Sequence, residues 1–525
     1  MSNQTTISIY LKRDKHENGM SLQEYTDAII AGTQPVLSQD AFAYQFGAVE
    51  DEMAVVESWA TTNNLTVIES NKATSTIKVL GTFERFDSLF GITLKIATTE
   101  DGHEYQTHDG NVVIPSEIDD VVAMILGFDN EPIFTHNAVE FDPQIHTNDD
   151  PAIYPSKAAV TPVQVATAYN LPAGDGYGGC IGLLELTYSG YVAGYNSTDV
   201  TSSFTRIGLT APTVVDVLVD GATRSTTSDG ETMLDIYCAG GVAPRAKIAV
   251  YMTPNSGQGF YDAILSASTD TTNMPSSLGI SWGTSTEGNG DYLNAAFQAC
   301  VAVGVTCFVA TGDAGANNLV AGYPGTNAYQ IASGGTSLYL NNDNTWNNEA
   351  AWSGGGGGVS AIVALPSWQT GLTSTTITAS ASGTATALPR RGVPDVSAPA
   401  DPYTGYQFYV NSTLVQYGGT SAAAPWLAGM ITRLTQLWGN RTSFANSLFY
   451  SNTQAFTDIT LGNNRNGYTT GYTTTTGWDA ATGLGSPKGA ELYKLFHTGS
   501  TFPKQNYGFR PTAGPTYPRR TTVTR

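Results

Sequence analysis

Cysteine, cationic charge, long apolar runs and histidine are scarce in this 525-residue sequence, and each shortage removes a class of explanation. The four cysteines, Cys180, Cys238, Cys300 and Cys307, are too sparse for a disulfide scaffold and fit no metal spacing. They read as buried thiols, with a Cys300–Cys307 bridge left open. Lys and Arg number 24 against 45 Asp and Glu, a net charge of -21, and such a surface repels phosphate backbones, which excludes nucleic acid. Charged residues make up only 13% of the chain, about half the ordinary share. Few ion pairs are then lost on acidification, so solubility and acid tolerance are both compatible with the composition. No apolar run is long enough for a membrane span. Residues Met1–Arg13 alternate polar and apolar, which reads as a strand and not as the apolar centre of a signal peptide. What is present is a folding composition: 41% hydrophobic, 10% aromatic and rich in glycine.

Three regions separate along the chain, with a tail behind them. Residues 1–135 read as a small α+β domain of ferredoxin-like pattern. Strands are expected at Thr6–Leu11, Thr66–Ile68 and Thr76–Leu80. Helices are expected at Ser21–Ala31, Glu50–Asn63, Glu84–Phe90 and Ile118–Ile125. Residues 136–159 contain Asn148-Asp149-Asp150-Pro151 and Tyr154-Pro155, the composition of an exposed linker open to proteolytic nicking. Residues 160–496 carry apolar runs at Ile181–Leu186, Val214–Val219, Lys247–Tyr251, Ser277–Ser281 and Val305–Ala310 with helical stretches between them. That pattern predicts an α/β domain, a doubly wound parallel sheet whose active residues sit at the carboxyl ends of strands. Residues 497–525 form a basic tail expected to be disordered.

The sharpest chemical signal is Gly418-Gly419-Thr420-Ser421-Ala422-Ala423-Ala424-Pro425, which follows the apolar stretch Tyr406–Val415, read as one strand, and opens a helix. A serine there has a helix amino terminus to help hold an oxyanion; a simple helix cap would look the same. A serine nucleophile needs a base. The histidines are His16, His103, His108, His136, His146 and His497, so none lies within the large domain. Unless a flanking segment reaches in, the base is a carboxylate or a lysine. Glu231 and Asp235, four apart on a predicted helix, share one face, and two neighbouring carboxyls tend to hold one proton between them. Because a glutamate titrates near ~4.3, such a base favours acid. Asp313, in Gly312-Asp313-Ala314-Gly315 directly after a strand, can donate to an oxyanion if protonated, or can be an ordinary turn aspartate. Asp458 and Asp479 flank a loop of Asn, Gly and Thr whose oxygens suit a hard cation such as Ca²⁺, although Asx turns look similar.

These residues together resemble the sedolisins, serine-carboxyl peptidases related in fold to subtilisin. The resemblance rests on an ordered set: Glu231-x-x-x-Asp235, Ser281-Trp282-Gly283, Gly312-Asp313, Gly419-Thr420-Ser421-x-x-x-Pro425, Asp458-Ile459 and Gly477-Trp478-Asp479. It implies Ser421 as nucleophile, Glu231 as its base, Asp235 orienting Glu231, and Asp313 at the oxyanion. Glu185 and Trp282 would extend the hydrogen bonding behind the acid pair. One Ca²⁺ would be held by the carboxylates of Asp458 and Asp479 and the carbonyls of Ile459, Thr475 and Gly477, with Thr475 standing where the family has glycine. Phe46-Gly47, Gly81-Thr82-Phe83, Phe90-Gly91 and 125–130 resemble the family's activation domain. The chain is thus expected to be a proenzyme, inhibited by its own prodomain and self-cleaved in acid near Ile153–Val160. Its substrates would be proteins or peptides, its state monomeric, and its location extracellular or an acidic compartment. Two alternatives stand beside this reading. A catalytically silent binding protein on the same fold would have lost one of the four key residues, and all four are present. A glycosidase using Glu231 and Asp235 leaves Ser421 and Asp313 unexplained.

Overall fold

The computed structural model describes residues 4–13, 19–100, 102–142, 159–285, 287, 292–316, 319 and 321–499. Near the amino terminus, a four-stranded antiparallel sheet runs Thr66–Asn71, Thr76–Thr82, Gln4–Leu11, Val122–Leu126. Strand alternation gives its two faces separate jobs. Ile7 and Ile9 turn into a core with Val56 and Trp59 of the helix Glu50–Thr62 and Phe86 and Phe90 of the helix Phe83–Phe90. Ser8, Tyr10 and the facing Lys78 turn the other way, onto the large domain. There Tyr10 donates to Asp262 at 2.7 Å, Gln258 donates to Ser8 at 2.8 Å, and Lys78 pairs with Asp262 at 3.3 Å and with Asp220. Burial pushes the Asp262 carboxyl up to about 8. The order of elements in this sheet and its two covering helices is ferredoxin-like, as the sequence suggests.

Two local expectations fail. Ile118–Ile125 is a turn followed by the strand Val122–Leu126, not a helix. A short apolar run carries no decisive period, and here the open edge of Gln4–Leu11 decides the matter by hydrogen-bonding it. Tyr406–Val415 is not one strand but a hairpin, Tyr406–Val410 with Thr413–Gly418. Its turn residues Asn411 and Ser412 both take positive φ (50° and 64°), the geometry that a two-residue hairpin requires.

The large domain is built on an eight-stranded sheet. Strands Val214–Leu218, Lys247–Pro254, Cys180–Thr187, Ser277–Ile280, Thr306–Ala310 and Ile331–Leu340 pair in parallel, and Val396–Pro399 also joins Ile331–Leu340 in parallel. Trp346–Ala351 closes one edge antiparallel. Helices cover both faces, Gly230–Val242 and Thr420–Trp438 on one and Gly257–Thr269 and Asn294–Val303 on the other. The first two helices touch backbone to backbone at Gly429, where a Cβ would lie 2.6 Å from the Ala239 carbonyl oxygen. That approach sets the helix bearing Glu231 and Asp235 beside the helix bearing Ser421. All four cysteines are buried free thiols, so the open Cys300–Cys307 bridge is not formed. Of the expected tail only 497–499 is described; Ile153–Lys157 and the rest of 143–158 also lie outside the described residues.

Candidate active site

The expected residues come together at the carboxyl ends of the parallel strands. Asp229 caps the helix Gly230–Val242 by accepting from the Thr232 amide at 2.9 Å, and its carboxylate also accepts from Tyr191 at 2.9 Å and from the Gly194 amide at 2.6 Å. This anchors the first turn, which holds Glu231 at 2% exposure and, one turn on, Asp235 at 0%. Ser281, just past the strand Ser277–Ile280, donates to both Asp235 oxygens at 2.9 Å. Burial, then the charge of Glu231, raises Asp235 well above the carboxylate range, with the Ser281 bond opposing. Behind it Glu185 accepts from the Trp282 indole at 3.1 Å, and burial followed by repulsion from Asp235 raises it as well. Two desolvated acids beside Glu231 therefore favour their neutral forms.

Ser421 is the second residue of the helix Thr420–Trp438 and is fully buried. Its Oγ donates to the Ser281 carbonyl at 3.3 Å. Asp313, in the loop after Thr306–Ala310, accepts from the Thr420 amide at 2.7 Å and the Thr420 hydroxyl at 2.8 Å through one oxygen. Its other oxygen is buried and unpartnered in the described structure. Burial pushes the Asp313 carboxyl up to about 8, against the Thr420 bonds, so below that pH the free oxygen carries a proton to donate.

The chain itself lies across this cleft, which no pattern in the sequence signals. Thr135–His136 pairs antiparallel with Trp282–Gly283, and Val139–Glu140 pairs antiparallel with Tyr417–Gly418. Between the two ladders, the Asn137 amide donates to the Ser281 carbonyl at 3.1 Å, and the Asn137 carbonyl accepts from the Ser421 amide at 3.4 Å. Gly419, at φ 105°, makes the fit possible: a Cβ there would lie 1.9 Å from the Asn137 carbonyl oxygen and 2.4 Å from the free Asp313 oxygen. Those two oxygens therefore flank one point. A cavity of about 250 Å³ opens beside Thr135–Asn137, lined by Gly283, Thr284, Asp313 and Tyr323 among others.

A flanking histidine does reach in. His136 Nδ1 lies 3.3 Å from Glu231 Oε2, close enough for an ion pair but not aligned as a hydrogen bond. The ring stacks on Tyr191 (6.0 Å, 25°) and meets Trp282 edge-on (5.5 Å, 82°). The Glu231 carboxylate raises the imidazole above its ordinary value, opposed by burial and aided by Asp229 and Asp313. Its described partners are Glu231, Tyr191 and Trp282, not Ser421. Sequence reasoning assigns no role to His136, Asn137, Tyr191 or Thr420, although it quotes Thr420 within the serine motif and leaves open a histidine reaching in from a flanking segment.

The expected calcium residues form a separate loop. Asp458 accepts from the Gly477 amide at 2.9 Å and Asp479 accepts from the Thr475 amide at 3.0 Å, so one loop gathers both carboxylates. Asp479 is fully buried, and burial pushes it up to about 7 despite bonds from Thr475, Thr482 and Ala481. Thr475 is not among the described residues with positive φ, so its backbone does not require glycine. Among the described residues no group of three or more His, Cys, Asp or Glu side chains converges, and any cation here would depend on carbonyl oxygens.

Comparison with known proteins gives a consistent result. Residues 1–131 match the family model "Pro-kumamolisin, activation domain", and residues 222–455 match that of the "Subtilase family". Kumamolisin of Bacillus sp. (strain MN-32) is 33% identical over 513 residues, covering 93% of this chain and 90% of that protein. Xanthomonalisin of Xanthomonas sp. (strain T-22) is 27% identical, covering 86% of this chain and 60% of that protein. Among solved structures, Pseudomonas sedolisin, a serine-carboxyl proteinase complexed with pseudo-iodotyrostatin, superposes with TM-score 0.56 at 25% identity, covering 66% of this chain and 100% of that one.

Proposed function

Because this chain belongs to the kumamolisin family of sedolisin-type serine-carboxyl peptidases and carries that family's activation domain, we propose that it matures by cutting its own Asn137–Ala138 bond in acid. The observation that carries the reading is the Asn137 carbonyl, held against the Ser421 amide with the free Asp313 oxygen beside it. Ser421 Oγ attacks the Asn137 carbonyl carbon and gives its proton to Glu231. The oxyanion accepts from the Ser421 amide and from protonated Asp313. Collapse breaks the bond to Ala138, whose nitrogen takes the proton from Glu231. Water, deprotonated by Glu231, then attacks the Ser421 ester, and Glu231 returns the proton to Ser421 Oγ as the ester bond breaks and Asn137 leaves as a carboxyl terminus. Asp235, held by Ser281, and Glu185, held by Trp282, stay neutral behind the base and let it carry the single charge. This bond lies upstream of the stretch near Ile153–Val160 expected from sequence, which leaves room for a later trim there. It also sets the working division as a prodomain ending at Asn137 and a catalytic domain through about residue 496.

The same cleft takes peptide substrates once the prodomain leaves, and the enzyme acts as a monomer outside the cell or in an acidic compartment. Among the described residues no helix is long and apolar enough to cross a membrane. The loop of Asp458, Ile459, Thr475, Gly477 and Asp479 fits one Ca²⁺ through two carboxylates and three carbonyls, and its role would be to tie down the loop. The test is incubation of purified full-length protein and Ser421→Ala at about pH 4, near the ordinary carboxylate range, and at about pH 9.5, above the value of about 8 to which burial pushes Asp313, with intact mass read for each. A new amino terminus at Ala138, in acid and only with Ser421, is the expected result. Equal processing of the Ser421→Ala protein refutes the reading.

A further inference from the structure

Phe134 lies three residues before Asn137, whose carbonyl is held at Ser421, and it is gripped differently from the residues after it. Thr135 and His136 are held by strand pairing with Trp282–Gly283. Phe134 is held by a side chain: Asn255 Oδ1 accepts from the Phe134 amide at 3.1 Å, and Asn255 Nδ2 donates to the Phe134 carbonyl at 2.7 Å. One asparagine amide thus reads both main-chain groups of one residue, as a neighbouring strand would. Asn255 is itself fixed. It follows the strand Lys247–Pro254, precedes the cap Ser256 of the helix Gly257–Thr269, donates its own amide to Thr187 at 2.7 Å, and is 3% exposed. The Phe134 ring is 2% exposed and stacks on Phe260 at 4.3 Å and 28°.

We propose that Asn255 and Phe260 form a specificity subsite of the mature enzyme that selects substrates with an aromatic residue four positions before the cut bond. This rests on the assignment of Asn137–Ala138 as the bond cut. Asn255 fixes the main chain of any residue with an N–H, and the flat face of Phe260 then discriminates by side chain. Proline is rejected because it leaves Asn255 Oδ1 buried without a donor. The grip does not belong to the prodomain fold: Phe134 lies beyond the match to the activation domain, which ends at residue 131, and both of its partners belong to the large domain. When the prodomain departs, a buried amide and an apolar shelf are left facing the cleft, which suits the next chain to enter.

The test uses full-length protein activated in acid and assayed on three amino-terminally acetylated peptides: acetyl-Phe-Thr-His-Asn-Ala-Val, which copies residues 134–139, and the same acetylated peptide with Ala or Pro in place of Phe, so that only the Pro peptide lacks the N–H. A general protein substrate is assayed in parallel. Peptides with Ala or Pro first should lose roughly tenfold or more in kcat/KM, chiefly through KM, the fold-change of a lost ring contact or hydrogen-bond pair. In Asn255→Ala the extra penalty for Pro beyond that for Ala should vanish while the penalty for Ala persists, because no acceptor remains to be left unpaired. Phe260→Leu, the variant that spares the fold, should narrow the Phe-over-Ala preference while leaving the Pro penalty. An enzyme that digests the general substrate but cuts all three peptides equally overturns this subsite and leaves the peptidase reading intact. A folded protein that digests nothing overturns both.

Discussion

Replacing His136 should speed self-cleavage. The imidazole holds Glu231 Oε2 at 3.3 Å, while the Oγ of Ser421 donates to the Ser281 carbonyl. The His136 side chain is 40% exposed and that of Glu231 1%, so the pair is half-screened and is worth about 1 kcal/mol, not the ~3 of a fully buried charge-assisted bond. That interaction exists in the resting proenzyme and is lost when Glu231 accepts the Ser421 proton. His136→Gln should therefore raise the single-turnover rate roughly fivefold. The pH dependence follows from the raised imidazole value: the folded proenzyme holds the His136 proton more tightly, so the pair is present in acid and lost as pH rises through the folded value. The gain should thus appear near about pH 5.5, below the ordinary histidine value, and disappear at a second, higher pH past the folded imidazole value. Glu185, Asp229, Asp235 and Asp313 also surround this pair and are unchanged in the variant. Rapid-mix, acid-quenched samples of full-length protein, read by intact mass, measure the rate. A variant that is slower at both pH values, or faster by the same factor at both, refutes the reasoning.

Two more outcomes extend the test begun with Ser421→Ala. Asp313→Asn keeps a donor that does not titrate, so peptidase activity should lose its decline near about 8, the value to which burial pushes Asp313, at a lower maximal rate; a pH–rate profile identical to wild type removes Asp313 from the oxyanion. Calcium removal should lower Tm more at neutral pH than in acid. Asp479, raised to about 7, takes up a proton on folding below that value and then needs no cation, whereas above it the folded state carries a buried charge. The penalty is about 1.4 kcal/mol per pH unit between the ordinary carboxylate range and 7. Melting curves with and without chelator at about pH 4.5 and pH 7.5 read the difference, and an equal effect at both removes Asp479 from the site.

What sequence can reveal here divides by range. Glu231 and Asp235 are four apart on one helix, and their shared face follows from helical geometry alone. Ser421 announces itself through the glycine before it and the apolar helix after it. The parallel sheet is legible because its strands are continuous apolar runs buried on both faces. Ile118–Ile125 is not legible locally because the strand Gln4–Leu11, more than a hundred residues away, decides its state. The hairpin turn at Asn411–Ser412 escapes sequence reading because positive φ at both turn residues is more often signalled by glycine. His136 with Glu231, and Asn137 with Ser421, join residues that no local pattern relates. Two-residue strands such as Thr135–His136 have no period to detect and exist because the cleft supplies their partners.

The ladders on either side of Ser421 also bear on when maturation becomes final. If the proposed Asn137–Ala138 bond is the one cut, the Asn137 end is still strapped by Trp282–Gly283 and Asn255, and behind it a whole domain is moored through Lys78, Asp220 and Asp262. The Ala138 end remains strapped by Tyr417–Gly418. Both new termini thus stay beside the nucleophile that made them, and the freed amine is the nearest group able to return to the Ser421 ester. Until one end slips away, hydrolysis competes with resealing. The point of no return in this molecule is a departure and not a bond broken.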